Sequence, residues 1–221
     1  MSAPARDVVV LLHGLWMSSH VMYPLQSALD AAGFQPCSLG YRSTRGSLAE
    51  HHERIDEAIA GLTTLSGTPA PRVHLLGHSM GGVIALSYLM HRSTGNLAAR
   101  LGRVMLLGAP LLRCAAANDF GSHAAGRLLM GSSVALWQSA LPLAVPSGRE
   151  VAAIAGTEPF GLGPLFVTLE GANDGVVRVA ETQLPRLSAH LQLPVSHTGM
   201  LFSAEVARQS AAFLHHGRFA P

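Results

Sequence analysis

A serine hydroxyl attacks a carbonyl only when a base removes its proton, and a carboxylate is needed to hold that base in the right tautomer. The chain carries a candidate for each part. Ser79 stands in Gly77-His78-Ser79-Met80-Gly81, a G-x-S-x-G pattern set between the apolar run at 72–76 and a helix-forming run at 83–91. A strand, a sharp break at one serine and a restart as helix predict a turn that exists to present a hydroxyl. Bulky neighbours would clash with the strand and helix there, which accounts for Gly77 two before the serine and Gly81 two after it. The helix that follows turns its N-terminal amides and positive dipole end toward the reacting centre.

His197, in PVSHTGMLFS, follows the last expected strand and precedes the last expected helix. It is the candidate base. His78 is nearer in sequence, but adjacent side chains on such a turn diverge. His13 precedes Gly14 in the first loop, where hydrogen bonds that brace the loop are the better use of it. Two of the five Asp, Asp119 and Asp174, fall between Ser79 and His197. Asp174, in the polar turn GANDGVV, is the leading candidate acid. Glu158, close behind the run at 151–155, and Asp119, in a poorly patterned stretch, remain open alternatives. Glu150 begins that run and so belongs to the wrong end of the sheet. A tetrahedral intermediate further needs donors for its oxyanion. The Met80 amide at the helix start and the Leu15 amide in His13-Gly14-Leu15-Trp16 are the candidates, with Trp16 next.

These residues need elements to carry them to one place. VVVLL at 8–12 reads as a strand buried on both faces. Met22, Leu25 and Leu29 have helical spacing, and Gly33 ends that helix. A weaker strand is expected at 34–41. Ser47 and Glu50 form a capping-box pair opening a helix in which Leu48, Ile55, Ile59 and Leu62 share a face. Strands follow at 72–76, 103–108, 151–155 and within 189–195, with a closing helix at 203–215. The alternation predicts one α/β domain over residues 1–221, built on a mostly parallel sheet with helices on both faces. In such a sheet ligands bind beyond the carboxyl ends of the strands, where Ser79 and His197 both fall. Two stretches, 111–149 and 157–171, fit no element well; the first has the length for a partial cover over the site.

Composition removes several alternatives. With 221 residues, 48% hydrophobic and 13% charged, the chain is long enough for one domain with a full core. All 15 basic residues are Arg. Without lysine no Schiff base can form and no P-loop can be completed. A net charge of +2 with scattered arginines leaves no nucleic-acid footprint. No apolar run has membrane-spanning length. MSAPARD leads straight into the first strand with no leader pattern, from which a cytoplasmic protein is expected. Cys37 and Cys114 are expected as buried free thiols. The pairs His51-His52 and His215-His216 are expected on solvated surface, since no histidine has metal-ligand spacing.

LLHGL, GHSMGG, NDGVV and SHTGM, in that order, resemble the α/β-hydrolase superfamily, and within it the compact bacterial lipases and esterases. The resemblance spans about residues 7–215. It implies the α/β-hydrolase fold with little or no cap domain, Ser79 as nucleophile, Asp174 as acid, His197 as base and oxyanion amides at Leu15 and Met80. It implies a small-molecule ester as substrate and no metal or organic cofactor. One departure is the loop 157–171, since in the family the acid usually follows its strand directly. The expected activity is carboxylic ester hydrolysis on short to medium acyl chains. A thioesterase or amidase would use the same machinery. A non-catalytic binding protein of the same fold is the rival from another class, against which a complete Ser, His and Asp set argues.

Overall fold

A computed structural model describes residues 6–63, 71–92, 96–112, 131, 133, 142–160 and 169–221. Six strands form one sheet: β1 (Val8–Leu12), β2 (Gln35–Leu39), β3 (Val73–His78), β4 (Leu101–Leu107), β5 (Val151–Gly156) and β6 (Ala189–Leu193). Their order is β2-β1-β3-β4-β5-β6, and every neighbouring pair is parallel. Among the described residues the α-helices are α1 (Tyr23–Ala31), α2 (Leu48–Thr63), α3 (Met80–His91), α4 (Asn96–Arg100) and α5 (Ala204–His216).

The two faces of the sheet follow from strand alternation. Val8, Val10, Leu12, Val73, Leu75, Val104 and Leu106 point to one core, which they share with α2 and α3. Val9, Leu11, Leu76, Met105, Leu107 and Ile154 point to the other, covered by α1 and α5. Helices therefore lie on both faces, as the run of buried strands predicts. The chain adds β2 outward from β1 and then crosses to β3 on the other side, so a topological switch lies between β1 and β3. A ligand crevice opens at such a point, beyond the carboxyl ends.

Strand and helix bounds shift at the place that matters most. β3 runs two residues past the expected 76, and α3 begins at Met80 rather than 83, so strand and helix meet across Ser79 alone. α2 is capped as read: Ser47 N–H donates to Glu50 Oε2 at 2.5 Å and Glu50 N–H to Ser47 Oγ at 3.3 Å.

His51 and His52 correct the expectation of a solvated face, since both are buried. His51 lies against Tyr41 and His52 against Tyr88 and His91, so imidazole and phenol rings fill the gap between α2 and its neighbours. His215 and His216 are exposed as expected. Cys37 is a free thiol but only half-buried, because β2 is an edge strand; Cys114 lies outside the described residues.

Most of 111–149 also lies outside the described residues. Its described parts touch the domain at several places. Leu111 N–H donates to Glu181 O at 2.7 Å, Gly131 packs on the Thr44 carbonyl, and Leu143 and Val145 join the α2/α3 core. Among the described residues no helix is long and apolar enough to cross a membrane.

Candidate active site

Ser79 has φ 54° and ψ −122°, a left-handed backbone that costs a non-glycine residue about 1–3 kcal/mol. The surroundings hold it there. Its N–H donates to Leu107 O at 2.8 Å, and its carbonyl accepts from Gly82 N–H at 2.9 Å. The turn is so tight that a Cβ on Gly77 would lie 2.4 Å from Gly81 O, and one on Gly81 would lie 2.3 Å from Leu12 O. Those two approaches are the clash that the G-x-S-x-G spacing anticipates. The loop after β1 comes just as near: a Cβ on Gly14 would lie 3.2 Å from Ser79 Cβ.

His197 and Asp174 meet in the same region. His197 Nδ1–H donates to Asp174 Oδ2 at 2.7 Å, and His197 N–H to Asp174 O at 2.9 Å. The other carboxylate oxygen, Oδ1, accepts the amides of Val176 at 2.9 Å and Val177 at 2.7 Å. Charge-assisted bonds of this kind fix a carboxylate in place. With Nδ1–H committed to Asp174, the His197 Nε2 lone pair is left to accept a proton. The pair sits over the end of β4, where a Cβ on Gly108 would be 3.1 Å from both Asp174 Oδ2 and His197 Nδ1. Gly108 directly follows Leu107, the acceptor for Ser79 N–H, so a short bridge of backbone connects serine and pair. Ser79 is 9% exposed, His197 6% and Asp174 1%, so water reaches the serine and hardly the acid.

The alternatives separate clearly. Glu158 is exposed, and its backbone is engaged on both sides, the amide donating to Val195 O at 3.3 Å and the carbonyl accepting from Phe160 N–H at 2.8 Å. Asp119 lies outside the described residues. His78 is fully buried, and its Nε2–H donates to the His197 carbonyl at 2.9 Å. Burial, reinforced by the nearby His197, pushes its pKa down to about 3, so the ring is neutral and holds the backbone of His197. His13 braces the first loop, with Nδ1–H donating to Gly14 O at 2.9 Å. Among the described residues the amides of Leu15 and Met80 have no acceptor, whereas Trp16 N–H is taken by Ser43 Oγ at 3.0 Å.

Sequence reasoning missed the Val176 and Val177 amides and the contribution of Tyr41 and Ser43. The first had a signal: Asp-Gly-Val-Val is a turn in which an Asp side chain caps the amides two and three residues on. The second had none, because nothing in GYRST at 40–44 marks a partner for a loop near residue 14.

The sequence matches the model of an alpha/beta hydrolase family over residues 9–214. The chain belongs to that family. Solved structures agree on the fold. The lipase BlEst2 of Bacillus licheniformis in its mature form superposes with TM-score 0.73 at 16% identity, over 99% of this chain and 95% of that one. The metagenomic carboxyl esterase MGS0156 gives TM-score 0.63 at 17% identity, over 88% and 65% of the two chains. A soluble variant of the monoglyceride lipase of Saccharomyces cerevisiae gives 0.63 at 12% identity, over 99% and 89%. No curated protein matches the sequence. A hydrolase fold with lipase- and esterase-like architecture is thus established for the chain.

Proposed function

We propose that the protein hydrolyses carboxylic esters through an acyl-enzyme, with Ser79 as nucleophile, His197 as base and Asp174 as its acid. The observation that carries the reading is the His197–Asp174 hydrogen bond at 2.7 Å beside a serine held at φ 54°. His197 Nε2 takes the Ser79 proton as Oγ attacks the ester carbonyl. The oxyanion rests on the amides of Leu15 and Met80. The tetrahedral adduct collapses, and His197 gives its proton to the departing alcohol. His197 then takes a proton from water as hydroxide adds to the acyl carbonyl. The second adduct collapses, the C–Oγ bond breaks, and His197 returns the proton to Ser79 Oγ as the acid departs.

Short to medium acyl chains, roughly four to ten carbons, are the expected substrates, since each buried methylene contributes about 0.8 kcal/mol until a pocket is full. Leu128, Met130 and Trp137, in the stretch expected as a partial cover, lie outside the described residues. A fluorophosphonate probe should label Ser79 in folded protein. Absence of labelling would favour a non-catalytic binding protein. Hydrolysis of soluble esters should peak at an intermediate chain length and pass smoothly through the critical micelle concentration. A sharp jump there, with long-chain emulsions preferred, defeats the chain-length part of the proposal.

A further inference from the structure

The loop that follows β2 grips the loop that follows β1. The Tyr41 ring lies flat on that of His13, with centroids 4.1 Å apart and planes 9° from parallel. Its hydroxyl donates to the His13 carbonyl oxygen. Ser43, two residues on and buried, accepts Trp16 N–H on Oγ at 3.0 Å. Between these two holds lie Gly14 and Leu15, the stretch that carries one of the two amides assigned to the oxyanion. Trp16 itself has φ 59°, the second non-glycine left-handed residue on this edge of the sheet after Ser79.

We infer that Ser43 and Tyr41 are positioning residues for the oxyanion hole, acting through Trp16 and His13 to aim the Leu15 amide. The inference rests on the reading of Ser79 as an ester-cleaving nucleophile. Its logic is that of peptide planes. Leu15 and Trp16 offer two successive amides, and the Ser43 bond commits the second away from the crevice. A left-handed residue persists only where its surroundings over-determine it, and Ser43 supplies a backbone bond that does so. Without that acceptor Trp16 relaxes toward negative φ. The Leu15–Trp16 peptide turns, and the preceding peptide, which bears the Leu15 N–H, turns with it. Gly14 lies close against the serine turn, since a Cβ there would be 3.1 Å from His78 Nδ1 and 3.2 Å from Ser79 Cβ, so a turn of this stretch is felt next to Ser79. Tyr41 fixes the other end. Burial raises its pKa, so the phenol keeps its proton and remains a donor throughout the neutral range.

The experiment compares wild type with S43A, S43T and Y41F on a soluble short-chain ester, separating kcat from KM. It also follows hydrogen exchange at the Trp16 amide and the thermal midpoint. S43A should lower kcat about 10- to 100-fold, less than outright loss of an oxyanion donor. KM should stay within about twofold, because the donor acts on the transition state rather than on the ground state. Trp16 should exchange faster in S43A, and S43T, which keeps the hydroxyl, should recover most of kcat and the protection. Y41F, which keeps the ring stack, should lose less, about 3- to 10-fold. An S43A enzyme with wild-type kcat, or with its loss confined to KM, overturns the inference; so does a kcat loss that S43T fails to recover. Wild-type protein that cleaves no ester overturns the esterase reading instead. The exchange measurement stands apart from that reading, and unchanged exchange in S43A overturns the hold itself.

Discussion

The two edges of the sheet use buried polar residues in opposite ways. At the amino edge they pair with one another. His74 Nδ1 accepts Arg103 N–H at 2.9 Å, and its Nε2 lies 3.6 Å from Asp7 Oδ2. Asp7 Oδ1 accepts Arg72 N–H at 3.1 Å, and Arg103 ties Glu150 to the last carbonyls of α5. At the carboxyl edge the polar residues converge on one place without consuming each other. His197 commits one nitrogen and keeps the other, the Leu15 and Met80 amides stay uncommitted, and Ser79 and Trp16 sit in strained backbone. One edge ties its charged groups into ion pairs and backbone bonds, with His74 Nε2 and Arg103 Nε left without a hydrogen-bond partner among the described residues. The other leaves a histidine nitrogen and two backbone amides uncommitted among the described residues. Residue type does not distinguish them, since both edges bury histidine; geometry does.

The contrast is broken most directly at Ser79. Ser79→Ala should lower ester turnover by on the order of 10⁴ or more, because the covalent route begins with that oxygen. The thermal midpoint should barely move, since the change removes one oxygen and leaves the backbone bonds that hold the turn in place. Activity above a few per cent in clean protein would return the carboxyl edge to the same structural status as the amino edge.

Asp174 is next. Asp174→Asn should reduce turnover by about 10³–10⁴, because an amide that donates to Nδ1 leaves the imidazole in the wrong tautomer. Glu158→Gln, at an exposed side chain, should stay within about twofold, as surface changes away from a site do. If steady-state kinetics reversed those two severities, the acid would be Glu158 and the Asp174 contact an incidental ion pair.

Much of this edge is legible in the residues alone. Ser79 is legible because a G-x-S-x-G turn leaves a steric trace, and the clashes at Gly77 and Gly81 are that trace made visible. His197 is legible as a candidate because parallel topology delivers every β-to-α loop to one rim, and Asp174 because it is one of two Asp between Ser79 and His197 and stands in a polar turn. His51 and His52 are the instructive failure. Histidine reads as polar, yet Leu48, His52, Ile55 and Ile59 are spaced four, three and four apart, a single helical stripe. Spacing marked that face as inward, and residue type pointed outward; spacing was right. The Tyr41 and Ser43 holds were not legible, since they join loops 27 and 28 residues apart through contacts no local pattern encodes. The short helix α4 was missed because its five residues are too few to show a period.

Buried histidines at both edges make a prediction about acid. His13, His51, His74 and His78 all have pKa values depressed by burial below their ordinary 6.5, and His52 is pushed down to about 4. In the unfolded chain these rings take up protons near pH 6.5, while the folded protein leaves them neutral. The unfolded state then binds more protons, so stability is complete above about pH 6.5 and declines as pH falls below it. His52 and His78, the latter lowered to about 3, should each contribute a slope approaching about 1.4 kcal/mol per pH unit between pH 6 and 4. Urea midpoints at pH 7 and pH 4.5 measure it, and a flat profile would show that both edges accommodate charged imidazole. His52→Gln, which removes one of these buried rings, should lessen the slope.

Arg103 offers the smallest effect and the sharpest separation of the edges. Its side chain is 17% exposed and donates to Leu214 O at 2.9 Å and His215 O at 3.2 Å, while pairing with Glu150 at 3.0 Å. A cation there satisfies carbonyls that α5 cannot satisfy itself and meets the negative end of its dipole. The helix has a second stop in Gly217, left-handed at φ 72° with N–H donating to Phe213 O. Arg103→Gln should therefore leave α5 formed and cost about 1–2 kcal/mol, a fall of roughly 2–6 °C in the thermal midpoint. The opposite end of α5 begins at Ser203–Ala204, six residues after His197, and the helix is about 20 Å long at 1.5 Å per residue. If the two edges are independent, kcat and KM for ester hydrolysis should both stay within about twofold, the scatter expected of changes remote from a site. A loss well beyond that, in protein whose circular dichroism is unchanged, would mean that α5 carries strain from the amino edge to the loop holding His197. The division between a stabilising edge and a reactive one would then fail at α5, which runs from one to the other.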